Sequence, residues 1–279
     1  MIFNPVFEDN KERDPEYSAS LMPVVFNSGE NKLIGTVFIA NGKGPHPLLV
    51  LLHGFPGNES NYDIAHAARR AGWNVLVFHY RGSWGSAGVY SFSNCLEDVD
   101  DVLKSLADPK FEEKYRIDSN KIVLAGHSLG GFISLIKLCE NGKIKYGASF
   151  GGFNFGFFAK MIPAIPEAKE ITLEGLNNGA YLLNGVSGDN LYNEMLKHCD
   201  NWDLLKKSDC FAGKNILLIG AQLDNVAPAT LHHIPLLKKI ESVKGVQLEH
   251  HTLDTGHSFS DRRIELTTIL IEWLNKIRF

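Results

Sequence analysis

Short apolar segments alternate with helix-like segments from residue 48 onward, and this alternation restricts the fold more than any other feature. Apolar segments that resemble buried strands lie at 48–53, 73–80, 121–125, 145–150, 215–220 and 246–253. Segments with helical spacing lie between or after them, at 61–71, 95–106, 129–139, 227–242 and 262–278. Right-handed crossovers between parallel strands place helices on both faces of a sheet. The sequence therefore predicts an α/β fold with a doubly wound, mostly parallel sheet.

A hairpin and an insertion modify this alternation. Residues 21–27 and 32–40 are strand-like and flank a Ser-Gly-Glu-Asn turn, which favours an N-terminal hairpin. After the strand ending near Phe150, about sixty residues precede the next strand, too many for a simple crossover. The predicted organisation is a polar arm (1–20), a main domain (21–150 and 210–279) and an inserted helical cap (151–209) that includes a helix at 192–199.

Composition and charge argue against several classes of protein. Hydrophobic residues make up 44% of the chain and charged residues 22%, which is ordinary for a globular protein with a sizeable core. The formal net charge is −4 and the basic residues are not clustered, so we expect no nucleic-acid partner. No apolar stretch is long enough to span a bilayer, and the N-terminus is charged where a signal peptide would be apolar. A cytoplasmic location is therefore expected.

The four cysteines are widely spaced. There is no C-x-x-C pair among Cys95, Cys139, Cys199 and Cys210, so neither a zinc site nor a disulfide scaffold is predicted. We expect them to be reduced thiols.

The sharpest local motif is Gly126-His127-Ser128-Leu129-Gly130, a G-x-S-x-G. It follows a predicted strand and opens a predicted helix, the context in which a sharp turn presents the serine above the sheet edge. The alternative is a serine that only caps the helix. The flanking elements favour Ser128 as a nucleophile.

Eleven histidines are candidates for the base that this serine would need. His127 adjoins Ser128, but its side chain should leave the turn in a different direction. The pairs 232–233 and 250–251 lie in a predicted helix and a predicted strand, where we expect partly exposed structural residues. A metal site would need a third ligand at a defined spacing from such a pair, and the sequence offers none. His257 follows a strand end and precedes the last helix, where parallel sheets place their active loops. We predict His257 as the general base.

The acid that orients this base is predicted at Asp224, in the loop after the strand at 215–220. The loop after the preceding strand, residues 151–154, contains no carboxylate. The alternative is an aspartate that caps the next helix. The chain order Ser128, Asp224, His257 is one of the known orders for such triads.

Two backbone N–H groups are predicted to stabilise an oxyanion. One belongs to Leu129, directly after the nucleophile. The other belongs to Phe55 in the motif HGFPG (53–57), because Pro56 has no N–H and Gly54 permits close approach of the backbone. His53 is expected to brace this loop.

Several phenylalanines follow the strand that ends near Phe150, and their spacing fits neither one helix face nor one strand face. They either attach the cap to the main domain or line an apolar pocket. The pocket interpretation names Phe153, Phe155 and Phe157.

These motifs together resemble the α/β-hydrolase superfamily, most closely its prolyl-oligopeptidase-like and dienelactone-hydrolase-like branches. The matching motifs are HGFPG (53–57), YRGSWGSAG (80–88), GHSLGG (126–131), the segment 224–226 and GHSF (256–259). The resemblance implies a serine hydrolase that needs no cofactor and acts on a small-molecule acyl substrate, with a carboxylic ester expected. A thioesterase or an aminopeptidase-like amide hydrolase would use the same residues. A non-catalytic binding protein of the same fold is the alternative from a different class.

Overall fold

The computed structural model describes residues 3–279 of the protein. Within them the strands are β1 Ser20–Ser28, β2 Asn31–Ile39, β3 His46–Leu52, β4 Asn74–Phe78, β5 Ile117–His127, β6 Tyr146–Phe150, β7 Asn215–Ala221 and β8 Gln247–Leu253. These strands form one sheet in the order β1-β2-β4-β3-β5-β6-β7-β8. The β1–β2 hairpin is antiparallel, with Ser28 opposite Asn31, and β2 pairs antiparallel with β4. All pairings from β4 to β8 are parallel, which confirms the predicted hairpin and mostly parallel sheet.

Helices cover both faces of the sheet. They are α1 Tyr62–Arg70, α2 Phe92–Leu106, α3 Pro109–Tyr115, α4 Leu129–Glu140, α5 Phe155–Met161, α6 Pro166–Ala180, α7 Gly188–Lys197, α8 His233–Glu241 and α9 Arg263–Lys276. Strand β3 illustrates the two cores, because successive side chains of a strand point to opposite faces. Leu48, Val50 and Leu52 pack with residues of α2 and α4, whereas Leu49 and Leu51 pack with residues of α1 and α9.

The predicted helix at 227–242 is shorter than expected, since α8 begins only at His233. Pro235 explains the difference. In a helix starting at 227 this residue would lie in the interior, where proline breaks a hydrogen bond and clashes with the preceding turn. At the third position of α8 its missing N–H costs no helical hydrogen bond.

Helices fill the chain between β6 and β7, which the sequence assigns to the cap. They are α5, a 3-10 helix at Ile162–Ala164, α6, α7 and a 3-10 helix at Ser208–Phe211. The helix predicted at 192–199 is α7, which begins earlier because Ser187 and Asn190 form a reciprocal capping box. The division of the chain into arm, main domain and cap stays a prediction.

One cysteine prediction is wrong. Cys139 of α4 and Cys210 of the second 3-10 helix form a disulfide, with their Cα atoms 5.1 Å apart, whereas Cys95 and Cys199 are free. The pair is separated by 71 residues, and the packing of α4 against the second 3-10 helix brings them together. Sequence spacing could not reveal this contact.

Candidate active site

The turn between β5 and α4 holds Ser128 in a strained conformation. Its φ of 54° and ψ of −114° are unusual for a residue with a side chain, and such conformations cost of order 1–3 kcal/mol. The N–H of Ser128 donates to the carbonyl of Phe150 at 3.0 Å, which helps to hold the turn.

The two glycines of this motif are required by close packing. A Cβ on Gly126 would lie 2.3 Å from the carbonyl carbon of Gly130, and a Cβ on Gly130 would lie 2.1 Å from the carbonyl oxygen of Leu52. No side chain fits at either position without moving backbone. The turn therefore depends on both glycines, as the G-x-S-x-G interpretation requires.

The side chain of Ser128 does not cap α4, because it accepts no hydrogen bond from the amides of the first turn. Ser128 is 7% exposed, at the edge where the strands end. This geometry disfavours the capping alternative and leaves the hydroxyl available for chemistry.

His257 and Asp224 meet in the loops that follow β8 and β7. The His257 Nδ1 atom lies 2.7 Å from the Asp224 Oδ2 atom. Backbone hydrogen bonds join the two loops, from Gln222 N–H to the Leu253 carbonyl at 2.9 Å and from Leu223 N–H to the Thr255 carbonyl at 3.0 Å. The two side chains are thus placed by neighbouring parallel strands.

The surroundings of Asp224 favour its charged form. Burial raises the pKa of this carboxyl, but hydrogen bonds from His257 and from the N–H groups of Ala227 and Val226 outweigh burial and leave the pKa below its ordinary value. Those two N–H groups contact Oδ1 at 2.7 and 2.8 Å, while Oδ2 accepts from His257. A carboxylate only accepts, so Nδ1 of His257 carries the proton in this contact. In the neutral form of such a ring Nε2 carries the lone pair that a base needs.

Among the described residues, only the Asp224–His257 half of the predicted triad is hydrogen-bonded. Ser128 and His257 lie at the same sheet edge. His127, the residue before Ser128, packs against His257, with the two ring centroids 4.7 Å apart. Catalytic hydrogen bonds in structures without substrate are often long or poorly aligned. The contact between the Ser128 hydroxyl and His257 Nε2 therefore belongs to the proposal below.

The HGFPG loop runs directly beside the nucleophile, since a Cβ on Gly54 would lie 3.2 Å from the Cβ of Ser128. Two side chains hold this loop. His53 Nδ1 donates to the Gly54 carbonyl at 2.8 Å, and Trp84 Nε1 donates to the Pro56 carbonyl at 2.7 Å. Burial lowers the pKa of His53 to about 3, so its ring is neutral and suited to bracing. Trp84 lies in the motif at 80–88, but sequence reasoning did not assign it this contact.

The N–H of Leu129 belongs to the first residue of α4, so it has no helical partner. Leu129 itself is fully buried. The loop containing Phe55 and the start of α4 thus both lie beside Ser128. The assignment of their N–H groups to an oxyanion site stays a prediction.

The phenylalanines after β6 occupy different environments. Phe155 is 5% exposed and lies within an aromatic cluster, 4.7 Å from Phe92 and 5.0 Å from Phe132 between ring centroids. Phe153 is half-buried, and its N–H donates to the Ser128 carbonyl at 3.4 Å. Phe157 lies in α5 and is also half-buried. Of the three, Phe153 is the one whose backbone is hydrogen-bonded to that of Ser128.

The expectation that His232 is partly exposed is wrong. Its ring is buried against Phe153 and Phe158, with centroid distances of 4.2 and 5.6 Å, and its Nδ1 accepts the N–H of Asn154 at 3.0 Å. The insertion between β6 and β7 supplies all of these contacts, so local sequence could not indicate them.

Within residues 3–279 no group of three or more His, Cys, Asp or Glu side chains is arranged to hold a metal ion. No helix in the same range has the length and apolar character needed to cross a membrane.

Comparisons with known proteins identify the family of this chain. Residues 49–265 match the model of the alpha/beta hydrolase family, so the chain belongs to that family. Hydrolysis is the class of activity that this membership supports.

Two solved structures share the fold. An acylaminoacyl peptidase of Pyrococcus horikoshii is similar over 94% of this chain and 42% of its own, with a TM-score of 0.67 and 16% identity. An esterase of Pyrococcus furiosus is similar over 98% of this chain and 97% of its own, with a TM-score of 0.64 and 18% identity.

A curated relative matches a shorter segment. It is the dihydrolipoyllysine-residue acetyltransferase component of the acetoin cleaving system of Pseudomonas putida, 34% identical over 98 residues. The match covers 35% of this chain and 24% of the relative.

Proposed function

We propose that the protein is a serine hydrolase that cleaves a carboxylic ester through an acyl-enzyme. The hydrogen bond between His257 and ionised Asp224, at the same sheet edge as the strained Ser128 turn, is the observation that carries this proposal. The similar fold of an esterase gives it further support.

In the first half of the reaction Ser128 Oγ attacks the ester carbonyl while His257 Nε2 takes the hydroxyl proton. Asp224 stabilises the imidazolium that forms. The oxyanion of the tetrahedral intermediate accepts the N–H groups of Phe55 and Leu129. His257 then gives the proton to the departing alkoxide, and the acyl group remains on Ser128.

In the second half a water molecule repeats the attack on the acyl-enzyme, with His257 again as base and then as acid. The carboxylic acid leaves and Ser128 regains its proton. Side chains and backbone amides of this chain carry every proton transfer and charge in the scheme.

Thioesters and amides are the nearest alternative substrates, because the same residues would cleave them. A matched set of an oxygen ester, a thioester and an anilide with one shared acyl group separates the three activities. We expect the highest kcat/KM for the oxygen ester. A higher kcat/KM for the thioester or the anilide would replace the ester assignment, and no Ser128-dependent turnover of any of them would favour a binding protein.

The acyl pocket is proposed to be apolar and closed over by the cap. Ser128 is only 7% exposed. A Cβ on Gly179 of α6 would lie 2.2 Å from the Phe55 ring, so α6 lies directly over the HGFPG loop (53–57). We expect short or medium acyl chains to be preferred over long ones. Turnover of a series of p-nitrophenyl esters of increasing chain length tests this, and a preference for the longest chains would contradict it.

A further inference from the structure

His127 is a buried polar side chain that the proposed mechanism does not use. It is the last residue of β5, directly before Ser128, and is 6% exposed. Its ring lies among aromatic neighbours, with centroids 6.0 Å from Phe150, 6.2 Å from Phe259 and 4.7 Å from His257.

One ring nitrogen of His127 is hydrogen-bonded to the backbone of the base. His127 Nε2 lies 2.8 Å from the carbonyl oxygen of His257. A carbonyl only accepts, so Nε2 carries the proton in this contact. Burial lowers the pKa of His127 to about 3, which makes the ring neutral and leaves Nδ1 without a proton. The donor toward His257 is thus fixed at neutral pH.

The opposite side of the His127 ring faces the HGFPG loop. A Cβ on Gly54 would lie 3.2 Å from His127 Nδ1, so the backbone before Phe55 passes beside this nitrogen. A Cβ on Gly151 would lie 3.5 Å from Nε2, which places the loop after β6 against the same ring. The imidazole therefore spans the gap between the loop that holds the base and the loop that holds an oxyanion donor.

We propose that His127 is a positioning residue that fixes the distance between His257 and the Ser128 turn by holding the backbone carbonyl of His257. This inference rests on the proposed function. The hydrogen bond acts on the main chain of the base itself, whereas Asp224 acts on its ring. Misplacement of a reacting group by about 1 Å can reduce the rate by about 100-fold.

Three substitutions at this position separate positioning from packing. Gln carries an amide donor near the position of His Nε2, whereas Asn carries it one methylene too short to reach the carbonyl. Leu fills much of the volume without a donor. We expect H127L and H127N to lower kcat by about 100-fold with a nearly unchanged KM, and H127Q to recover at least tenfold of that loss.

His46 offers a matched control. Its Nε2 also lies within hydrogen-bond distance of a backbone carbonyl, that of Gly42 at 3.1 Å, but it begins β3 at the opposite edge of the sheet. H46L should keep the wild-type kcat. Melting temperatures of all variants separate loss of fold from loss of rate, and the Asn–Gln comparison still decides the question should H127L not fold.

A spectroscopic measurement adds a readout independent of turnover. The proton between His257 and Asp224 should give a strongly deshielded NMR signal in the wild type, in S128A and in H127Q. The signal should broaden or disappear in H127N. A kcat for H127N and H127L equal to that of H46L, with an unchanged signal, would overturn the role of His127. Full turnover by S128A would instead overturn the proposed function, and with it this inference.

Discussion

The Glu194 carboxylate accepts the backbone N–H of Phe92 at 2.9 Å, and its second oxygen accepts the N–H of Ser93 at 2.8 Å. A side chain of α7 therefore satisfies N–H groups in the first turn of α2, which have no helical partner. The negative charge also interacts favourably with the positive end of the α2 dipole. This contact ties the predicted cap to the main domain.

We predict that E194Q lowers the free energy of unfolding by about 1–2 kcal/mol, because charge-assisted hydrogen bonds contribute about that much more than neutral ones. E194A should lower it further, since the two N–H groups then lose their acceptor. Chemical denaturation measures both, and E174Q, an exposed change in the middle of α6, serves as control. Equal stability of E194A and E174Q would show that the contact contributes nothing.

The orienting acid is tested by two aspartates in adjoining loops. D224N should fold normally but lower kcat by about 10,000-fold, because an amide at this position no longer fixes the productive tautomer of His257. D254N lies three residues before His257 and is exposed, so its effect should be small. Steady-state kinetics with melting curves compares the two, and the reverse order of effects would mean that the acid is misassigned.

The close packing at the nucleophile turn makes a prediction about stability. G130A should lower the free energy of unfolding by about 3 kcal/mol, because its Cβ would lie 2.1 Å from a backbone oxygen. G142A is the matched control, since a Cβ there meets nothing within 4 Å. Urea denaturation of both variants tests this, and a G130A protein as stable as the control would contradict the packing.

Buried histidines should make the fold sensitive to acid. Burial lowers the pKa of His53 and His127 to about 3 and that of His232 and His233 to about 4, each from an ordinary value of 6.5. As the pH falls below about 6.5 the unfolded chain binds these protons and the native state does not. The contribution of the neutral rings to stability is complete above 6.5 and is lost as the pH falls toward 4 and then 3.

At pH 5.5 each such histidine should cost about 1 kcal/mol of stability. Unfolding free energies at pH 7.5, 6.5 and 5.5 measure the slope, which should be shallower in H127Q than in the wild type. H127N removes the same titrating ring, so its slope should match that of H127Q. A wild-type free energy that does not change across this range would contradict the prediction.

Phe153 and Phe155 should respond differently to truncation. F155A should lose about 3–5 kcal/mol of stability, because the ring is buried among Phe92 and Phe132, and should keep the acyl-chain preference. F153A should shift that preference toward bulkier acyl groups by about 1–3 kcal/mol. The measurement is kcat/KM across an acyl series beside melting temperatures. An F153A variant that loses stability with an unchanged series would assign Phe153 to packing alone.

The sequence predicted those features that local chemistry determines. The alternation of apolar segments predicted the sheet, and the glycines around Ser128 predicted a turn that packing indeed requires. Loops at strand ends brought Asp224 and His257 into hydrogen-bond contact as expected, because parallel strands deliver their loops to one edge.

Features created by distant packing were not predictable in this way. The Cys139–Cys210 pair, the burial of His232 and the contact of Trp84 with Pro56 each depend on segments far apart in the chain. The same holds for Glu194, whose partners lie more than 100 residues earlier. Neither periodicity nor spacing records such contacts, since both describe neighbours along the chain.

Covalent trapping at Ser128 tests the central claim most directly. Purified protein is treated with a fluorophosphonate, and the site of the adduct is mapped by peptide mass spectrometry, with S128A and the exposed S260A beside the wild type. We expect one adduct on Ser128 in the wild type and in S260A, loss of ester turnover in step with labelling, and no adduct in S128A. An adduct at another residue, or ester turnover by folded S128A at the wild-type rate, would contradict the account.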